Sequence, residues 1–463
     1  MFRHPFFASF TALALVGCGG SPTSNDQSPS ATSGDGGEES SGMTPSDAGA
    51  NDSGVGAHDA GGGATQDGSD SATGEDAGHT PSSTYPAFPV DTGTIISNGG
   101  SVLATPKIVT VTWSTDTNAA TWNAFGDAIG ASTFWHAVNS EYGVGPATSG
   151  SHVSLTAALA SSMTDMELDT FVSTNVSNGT FPAYTPDTIY TLFVPSTTSL
   201  SLQGADACKQ GVLGYHTTAM TGGYVYAVVL ECANEPVDMI EAGATHELNE
   251  AATDPQGGGY VGVDSVHQLA YSFFLAPSWE LGDACELFKY AFYDDAEPSF
   301  MYGAQRQWSN RSATAGHNPC VPAPIEPFYN LTGFPSEQTT VNVNLSSLDK
   351  RAGTLTGNGY KGTLNQPLTF HLGAFSDAPT SGTWSVTAQI NPQYLFRDMN
   401  GNPVDNGTAT VTMDKTSVIN GDKITVTVTP TSWGGLGNVF IVFKNDLSGA
   451  TAHGDYPVVI SEN

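Results

Sequence analysis

Hydrophobic and polar positions divide the chain into two regions that differ in periodicity. In residues 86–325, strand-like and helix-like patterns alternate. The β-branched run Lys107–Trp113 predicts a strand, and residues 188–194 and 224–230 predict two more. After the first strand, large apolar side chains recur at helical spacing: Trp122, Phe125, Ile129, Phe134, Trp135 and Val138. We therefore expect an α+β or mixed α/β domain over residues 86–325.

Residues 326–463 show a shorter period. Apolar and polar positions alternate in short runs, as in strands with one buried face: residues 339–345, 368–372, 382–390, 408–413, 423–429 and 439–443. Asn-Gly pairs, which favour tight turns, separate several of these runs and begin at Asn400, Asn406 and Asn420. The pattern is typical of an all-β sandwich. Because the region contains no cysteine, we expect an accessory binding module without chemistry of its own.

Residues 1–18 have the pattern of an export signal. Arg3 and His4 precede an apolar run over residues 6–16 that is too short to span a bilayer as a mature helix. The tetrapeptide Leu-Val-Gly-Cys that ends at Cys18 resembles the lipobox of bacterial lipoproteins. We expect Cys18 to become the lipidated N-terminus, the alternative being an ordinary signal peptide with an incidental cysteine.

Residues 19–85 are rich in Gly, Ser, Ala, Thr and Asp and contain no Lys or Arg. Such a segment cannot bury enough apolar surface to offset the entropy lost on ordering. We expect a disordered acidic linker that tethers the folded part to the lipid. The predicted location is therefore the bacterial cell surface, anchored in the cell membrane. An extracellular protein or polysaccharide is the expected further partner.

The charge of the chain limits its partners. Its 463 residues include 45 acidic and only 13 basic side chains, which gives a formal net charge of −32. Proteins that bind the phosphate backbone need a basic surface, because phosphate contacts supply most of the affinity. We therefore expect no nucleic-acid partner.

Four cysteines follow Cys18 in the sequence: Cys208, Cys232, Cys285 and Cys320. An even number in an exported protein predicts two disulfides. None of the four forms a C-x-x-C pair, which argues against a zinc–thiolate site. Of the three possible pairings, we expect Cys208–Cys232 and Cys285–Cys320, because they close the shorter loops.

The candidate chemistry lies in residues 234–255, a predicted helix with Asn234 as its expected N-cap. His246 and Glu250 are one turn apart and share a face of this helix. The pattern His-Glu-x-x-Glu copies the H-E-x-x-H zinc helix, with a carboxylate as the second ligand. Glu247 is placed to take a proton from metal-bound water. A solvated helix face with a His–Glu pair has the same spacing, so that interpretation stays open.

A second acidic cluster, which contains Glu280 and Asp283, precedes Cys285. Zinc helices of this type often take a third ligand from a downstream carboxylate, so either residue could complete the site. Carboxylates also suit calcium, and the two acids would then hold a structural ion. Zinc is the expected cofactor, with calcium as the alternative.

Two segments give the chain a resemblance to a known family. Residues 245–255 and 279–285 resemble the paired signature HE-x-x-E-x-x-T-D/N-P and E-I-x-D-x-C of the EXORDIUM (phosphate-induced protein) family and of exported bacterial proteins similar to it. Leu281 replaces the usual Ile. Shorter matching pieces lie at residues 141–145, 214–216 and 307–310. The resemblance spans about residues 100–322.

The resemblance implies an extracellular protein, and the plant members of the family are linked to growth. It supplies no catalytic activity that can be transferred to this chain. It supports five residues as one site: His246, Glu247, Glu250, Glu280 and Asp283.

Three other histidines are possible site residues. His216 lies between the first pair of expected bridged cysteines, where it could act as a ligand or as a donor to the transition state. We favour a hydrogen-bonded structural role for it. His267 and His317 lie in polar loops and are expected to stand outside the site.

Two functions fit these expectations. The first is a surface-anchored, zinc-dependent hydrolase of metallopeptidase type in a zincin-like domain. Its zinc would be held by His246, Glu250 and either Glu280 or Asp283, with Glu247 moving the proton. The second is a non-catalytic extracellular module, in which the same residues hold a structural metal or a buried hydrogen-bond network.

Overall fold

The structure of the protein is a computed structural model that describes residues 80–462, except 203, 276–279, 287, 294–299, 345–353 and 391–406. The expected signal peptide, its lipidation site Cys18 and linker residues 19–79 lie outside the described residues. Among the helices that the structure describes, none is both long and apolar enough to cross a membrane.

Helices and strands alternate first, and strands follow alone. The described α-helices are α1 (Ala119–Ile129), α2 (Thr133–Asn139), α3 (Asp165–Ser177), α4 (Val237–Thr253), α5 (Gln268–Leu275), α6 (Asp283–Glu286) and α7 (Asn310–Ala315). The strands of the first region are β1 (Ile95–Ser97), β2 (Lys107–Trp113), β3 (Thr148–Leu155), β4 (Ser162–Thr164), β5 (Thr188–Val194), β6 (Ser199–Leu202), β7 (Ala205–Asp206), β8 (Gly214–Thr218), β9 (Val225–Leu230), β10 (Tyr260–Val263), β11 (Phe292–Tyr293), β12 (Ala304–Gln305), β13 (Gln307–Trp308) and β14 (Cys320–Val321). Those of the second are β15 (Tyr329–Gly333), β16 (Thr339–Asn344), β17 (Thr354–Lys361), β18 (Leu368–Ser376), β19 (Trp384–Ile390), β20 (Thr408–Met413), β21 (Ser417–Val418), β22 (Lys423–Ser432), β23 (Asn438–Asp446) and β24 (Asp455–Ser461).

A five-stranded sheet forms the centre of the first region, in the order β3-β2-β5-β9-β8. Its first four strands are parallel, and the edge strand β8 pairs antiparallel with β9. Every position of β5 and β9 is buried, as expected for parallel strands covered on both faces. The strands and helices expected from the sequence are present, which confirms a mixed α/β architecture rich in β-sheet.

Side chains of the central strands alternate between the two faces of this sheet. On β5, Ile189 and Phe193 pack in one cluster with helices α1, α2 and α4. Tyr190 and Leu192 point the other way and pack in a second cluster with α3. This alternation follows from the two-residue period of a strand. It leaves α4 on the same face as α1 and α2.

Helix α4 follows β9 and packs over β9 and β8. The expected N-cap was wrong: Pro236 occupies the N-cap position, and Asn234 has a left-handed backbone with φ 78°. Small residues give the helix its close contact with the sheet. At Gly243, a Cβ would lie 3.2 Å from the Cβ of Leu213, which is already tight packing.

The four cysteines form the two expected bridges, Cys208–Cys232 and Cys285–Cys320, with Cα–Cα distances of 5.4 and 5.7 Å. Cys232 comes just after β9, and Cys208 lies in a short 3-10 helix before β8. The first bridge therefore holds the chain that leads into the edge strand. The second ties α6 to β14. Each bridge stabilises the fold by about 3–4 kcal/mol for loops of this length.

The second region consists of two sheets with a common apolar core. Their strand orders are β15-β18-β22-β20 and β16-β17-β24-β23-β19-β21. Phe370 and Val426 from the first sheet pack in one cluster with Ile441 and Val458 from the second. The predicted runs form strands. In β16 and β22, buried positions alternate with more exposed ones, as predicted, whereas the run at residues 439–443 lies in β23 and is buried throughout.

The two regions share part of their interior. One apolar cluster contains Leu269 and Trp308 from the first region together with Val341 and Phe440 from the second. Ser82 falls within the predicted linker, but its backbone N–H donates to the carbonyl of Asn420 at 2.8 Å. Apolar packing therefore continues across the change of architecture near residue 326.

Candidate metal centre

Three segments of the α/β region converge on one cluster of imidazoles and carboxylates. Helix α4 is buried on most sides, so its polar side chains need partners inside the protein. Strand β8 passes beside this helix, and the turn that leads into α6 closes over it. The cluster contains His246, Glu247 and Glu250 from α4, His216 from β8, Glu280 from the turn before α6, and Asp283 from the first residue of α6.

The first group of ligand atoms comes from α4 and α6. His246 Nε2 lies 3.0 Å from Glu250 Oε2 and 3.7 Å from Asp283 Oδ1. One ligand atom of each residue lies within 4.8 Å of the others, a spacing that could hold a metal ion. The helical spacing predicted the first contact. Of the two carboxylates expected as third ligand, Asp283 is the one in this group.

The second group adds the edge strand. The His216 imidazole lies 3.7 Å from Glu250 Oε2 through Nδ1 and 3.5 Å from Glu280 Oε1 through Nε2. These three residues also have ligand atoms within 4.8 Å of one another. The sequence favoured a structural role for His216, but the structure places it among the site carboxylates. Glu280 belongs to this group and not to that of His246.

Glu247, the expected proton acceptor, contacts the same histidine. Its Oε2 lies 3.4 Å from His216 Nδ1. Gly214 makes this approach possible, because a Cβ at that position would lie 2.7 Å from Glu247 Cγ. Only a residue without a side chain lets β8 come this close to α4.

Gln305 orients the His246 ring and was missed from the sequence. The Gln305 amide donates through Nε2 to the carbonyl of Gly282 at 2.8 Å, so its Oε1 is left to accept from His246 Nδ1 at 2.9 Å. His246 therefore carries a proton on Nδ1, and loss of the Nε2 proton to an incoming cation would leave the Nε2 lone pair facing Glu250 and Asp283. This is the tautomer that a metal ion needs.

The carboxylate of Glu250 is also fixed in one orientation. Its Oε1 accepts from the backbone N–H of Gly282 at 3.0 Å and of Asp283 at 3.3 Å. Its Oε2 consequently faces both imidazoles. At Gly282, a Cβ would lie 2.5 Å from His246 Nδ1 and 2.8 Å from Glu250 Oε1. Glycine is therefore required where this turn passes over the helix.

The electrostatics of the cluster are dominated by acids. Burial lowers the pKa of His216 and of His246, but the neighbouring carboxylates outweigh it and hold both well above the usual value. Burial alone would raise the pKa of Glu250, yet the imidazoles bring it below its usual value. Burial, with Glu250 nearby, raises the pKa of Asp283 well above its usual range and that of Glu280 to about 8. A cation bound here would meet a concentrated negative field.

The members of the cluster differ in exposure. The side chains of Glu280 and Asp283 are 19% and 16% exposed, whereas that of Glu250 is 3% exposed. The shared carboxylate is therefore at the bottom of the site, and the residues from the start of α6 are at its rim.

Comparisons with known proteins leave the chain without an assigned family. No family model matches the sequence, and no curated protein matches it. A structural match to domains 4 and 5 of the S-layer protein SbsC has 15% sequence identity and covers 27% of this chain and 76% of that chain. Its TM-score is 0.15, which is too low to support a statement about fold or function.

Proposed function

We propose that the protein is an extracellular, surface-anchored protein with a zinc-dependent hydrolase site of metallopeptidase type in its α/β region. The observation that carries the proposal is the convergence of His246 Nε2, Glu250 Oε2 and Asp283 Oδ1 on one point. A bound zinc ion would polarise a scissile carbonyl and lower the pKa of a water molecule. Glu247 would accept the proton of that water.

The spacing of the donor atoms supports zinc. Bonds of about 2.0–2.2 Å in a tetrahedron place two ligand atoms about 3.3–3.6 Å apart. The contacts of His246 with Glu250 and Asp283, at 3.0 and 3.7 Å, bracket that range. Calcium prefers six to eight oxygen ligands. Imidazole donors at the centre of the cluster therefore favour zinc over calcium.

The surrounding fold supports a peptide-like substrate and the zincin-like interpretation. The helix that carries the His-Glu-x-x-Glu motif lies beside the antiparallel edge strand β8. An edge strand can bind an extended peptide through backbone hydrogen bonds. His216 lies on this strand, so a peptide aligned along β8 would pass close to the cluster.

Two disulfides support export, because such bridges persist in oxidising compartments. Lipidation of Cys18 completes the proposal, and the EXORDIUM resemblance stays a prediction. We expect slow turnover, since two carboxylates and one imidazole neutralise the ion and make the water less acidic than three histidines would.

The proposal is tested on the full chain with Glu247→Gln, using zinc analysis and the hydrolysis of a mixed peptide library. We expect one or more equivalents of zinc in both proteins and a loss of hydrolysis of about 100-fold or more in the variant. Glu235→Gln, just before the same helix, is the matched control and should hydrolyse normally. Equal hydrolysis by the Glu247 variant and the control would refute the assigned role.

A non-catalytic module is the second candidate, because the cluster also works as a structural network. Glu250 accepts two backbone N–H groups while its other oxygen faces two imidazoles. Such a network can fix the turn before α6 on helix α4 without turnover. Zinc or no metal in a protein that hydrolyses no peptide would favour this function.

A further inference from the structure

The two groups of ligand atoms meet at a single carboxylate oxygen. Glu250 Oε2 lies 3.0 Å from His246 Nε2 and 3.7 Å from His216 Nδ1. Its partner Oε1 is occupied by the N–H groups of Gly282 and Asp283. Glu250 Oε2 is therefore the oxygen that remains for contact with both imidazoles.

We propose that this cluster binds two divalent cations, with Glu250 as the ligand they share. One ion is held by His246 and Asp283, and the other by His216 and Glu280. This inference rests on the proposed function, since it takes the first ion from there and adds a second. His216 then acts as a metal ligand and not as a donor to substrate.

A single ion leaves half of the cluster without a role. Zinc takes four ligands, and a catalytic zinc takes three from the protein. The ligand atoms fall into two sets of three, and neither set contains both histidines. An ion bound by His246, Glu250 and Asp283 leaves His216 and Glu280 facing one another, already at ligand spacing.

The shared oxygen also sets a suitable separation between the ions. Two bonds of about 2.1 Å to one oxygen, at an angle of about 120°, place two ions about 3.6 Å apart. Two-metal hydrolytic sites have separations of about 3.5–4 Å. Both imidazoles already approach Glu250 Oε2, and the Glu280 carboxylate, which contacts the other nitrogen of His216, turns toward Nδ1 to complete the second set.

The charges balance with two ions. Four carboxylates contact the histidines of the cluster: Glu247, Glu250, Glu280 and Asp283. Among the side chains that the structure describes, which do not include that of Lys289, no Lys or Arg lies within ion-pair distance of these four. With neutral imidazoles, one dication leaves two of these four charges unmatched and two dications match them, while Glu286 near His246 and Glu250 is a further acid outside this count.

A metal count on the full chain tests the inference. The protein is stripped with a chelator, titrated with Zn²⁺ at low free concentration, and analysed for bound metal. We expect two ions per wild-type chain and one in either His216→Gln or His246→Gln. His152→Gln, which removes a histidine paired with Asp127 on the surface, is the control and should retain two.

Manganese supplies a spectroscopic test. Two Mn²⁺ ions that share a carboxylate give an exchange-coupled electron paramagnetic resonance spectrum, whereas isolated ions give the ordinary six-line signal. We expect the coupled spectrum in the wild type and its loss in Glu250→Gln. One ion per wild-type chain, or an unchanged count in His216→Gln, would overturn the inference.

The same measurements separate this inference from the proposed function. If the protein binds one zinc ion and hydrolyses peptides, the second ion is refuted and the hydrolase proposal stands. Two ions without hydrolysis would support the dinuclear site and refute the hydrolase.

Discussion

The α/β region and the β-sandwich region each contain a His–Glu contact of nearly the same length. His246 Nε2 lies 3.0 Å from Glu250, and His371 Nδ1 lies 2.9 Å from Glu337. The first pair is almost buried, with side-chain exposures of 13% and 3%, and the second is partly exposed, with 35% and 28%. A short His–Glu distance therefore does not define a metal site. A site is defined by the burial of the pair and by the presence of further ligand atoms beside it.

The difference follows from how each region buries its polar groups. On β22 of the sandwich, every second residue points inward, and Ile424, Val426 and Val428 fill those positions. Polar side chains then face solvent at little cost. Helix α4 is enclosed on most sides, so His246 and Glu250 must find partners within the protein. Because this polar helix is enclosed, the possible metal-ligand side chains are brought together around it.

The largest expected effect is that of a glycine substitution in the α/β region, which is compared with a control glycine substitution in the sandwich. In Gly282→Ala, the new Cβ would lie 2.5 Å from His246 Nδ1, and the turn before α6 must move. We expect a destabilisation on the order of 3 kcal/mol and loss of zinc binding, measured by denaturant unfolding and by metal titration.

Gly382→Ala in the sandwich is the matched control. Nothing lies within 4 Å of its Cβ position, so stability should change by less than about 0.5 kcal/mol. If both variants behave alike, the close approach of the turn to α4 does not hold the cluster together.

Local sequence was sufficient for the part of the cluster that lies on one helix. His246, Glu247 and Glu250 share a face because residues three and four apart are neighbours on a helix. Glu280 and Asp283 were found because they stand just before a cysteine whose short-range pairing could be predicted. Six strands of the sandwich were predicted from patterns within a single run, which are local, whereas β15, β17, β21 and β24 were not.

The other two residues could not be predicted in this way. His216 reaches the cluster because β8 is the antiparallel edge strand beside β9. Gln305 reaches it because the short strand β12 lies against α4. Both placements depend on contacts between segments far apart in sequence, which no local period encodes. The small residues around Gly214 and Gly282 were the available signal, because close approach requires them.

The next largest expected effect is on the pH dependence of stability and involves His267, which lies between the two regions. Its imidazole contacts Asp264 at 2.9 Å and Asp91 at 2.9 Å. Asp91 in turn accepts from Gln338 Nε2 at 2.6 Å, which belongs to the second region. Burial lowers the pKa of His267, but the two carboxylates outweigh it and raise it to about 9.

A raised pKa sets the direction of the pH dependence. The protonated imidazole stabilises the fold fully below its unfolded value of about 6.5, and the contribution is lost as pH rises from there through about 9. We expect a loss of about 2 kcal/mol over this window, measured by unfolding at each pH. In His267→Gln this part of the pH dependence should disappear. A variant with the wild-type profile would show that other groups are responsible.

The smallest effect is expected at the surface pair of the sandwich. His371→Gln removes a partly exposed contact with Glu337, and surface contacts of this kind contribute about 0–1 kcal/mol. Lys423 Nζ, at 3.8 Å from Glu337, remains to compensate the carboxylate. We therefore expect a change below about 0.5 kcal/mol and an unaltered metal count, measured by unfolding and by metal titration beside His246→Gln. A loss of bound metal in the His371 variant would mean that the sandwich also holds an ion. The contrast between a buried, convergent cluster and an isolated surface pair would then no longer separate the two regions.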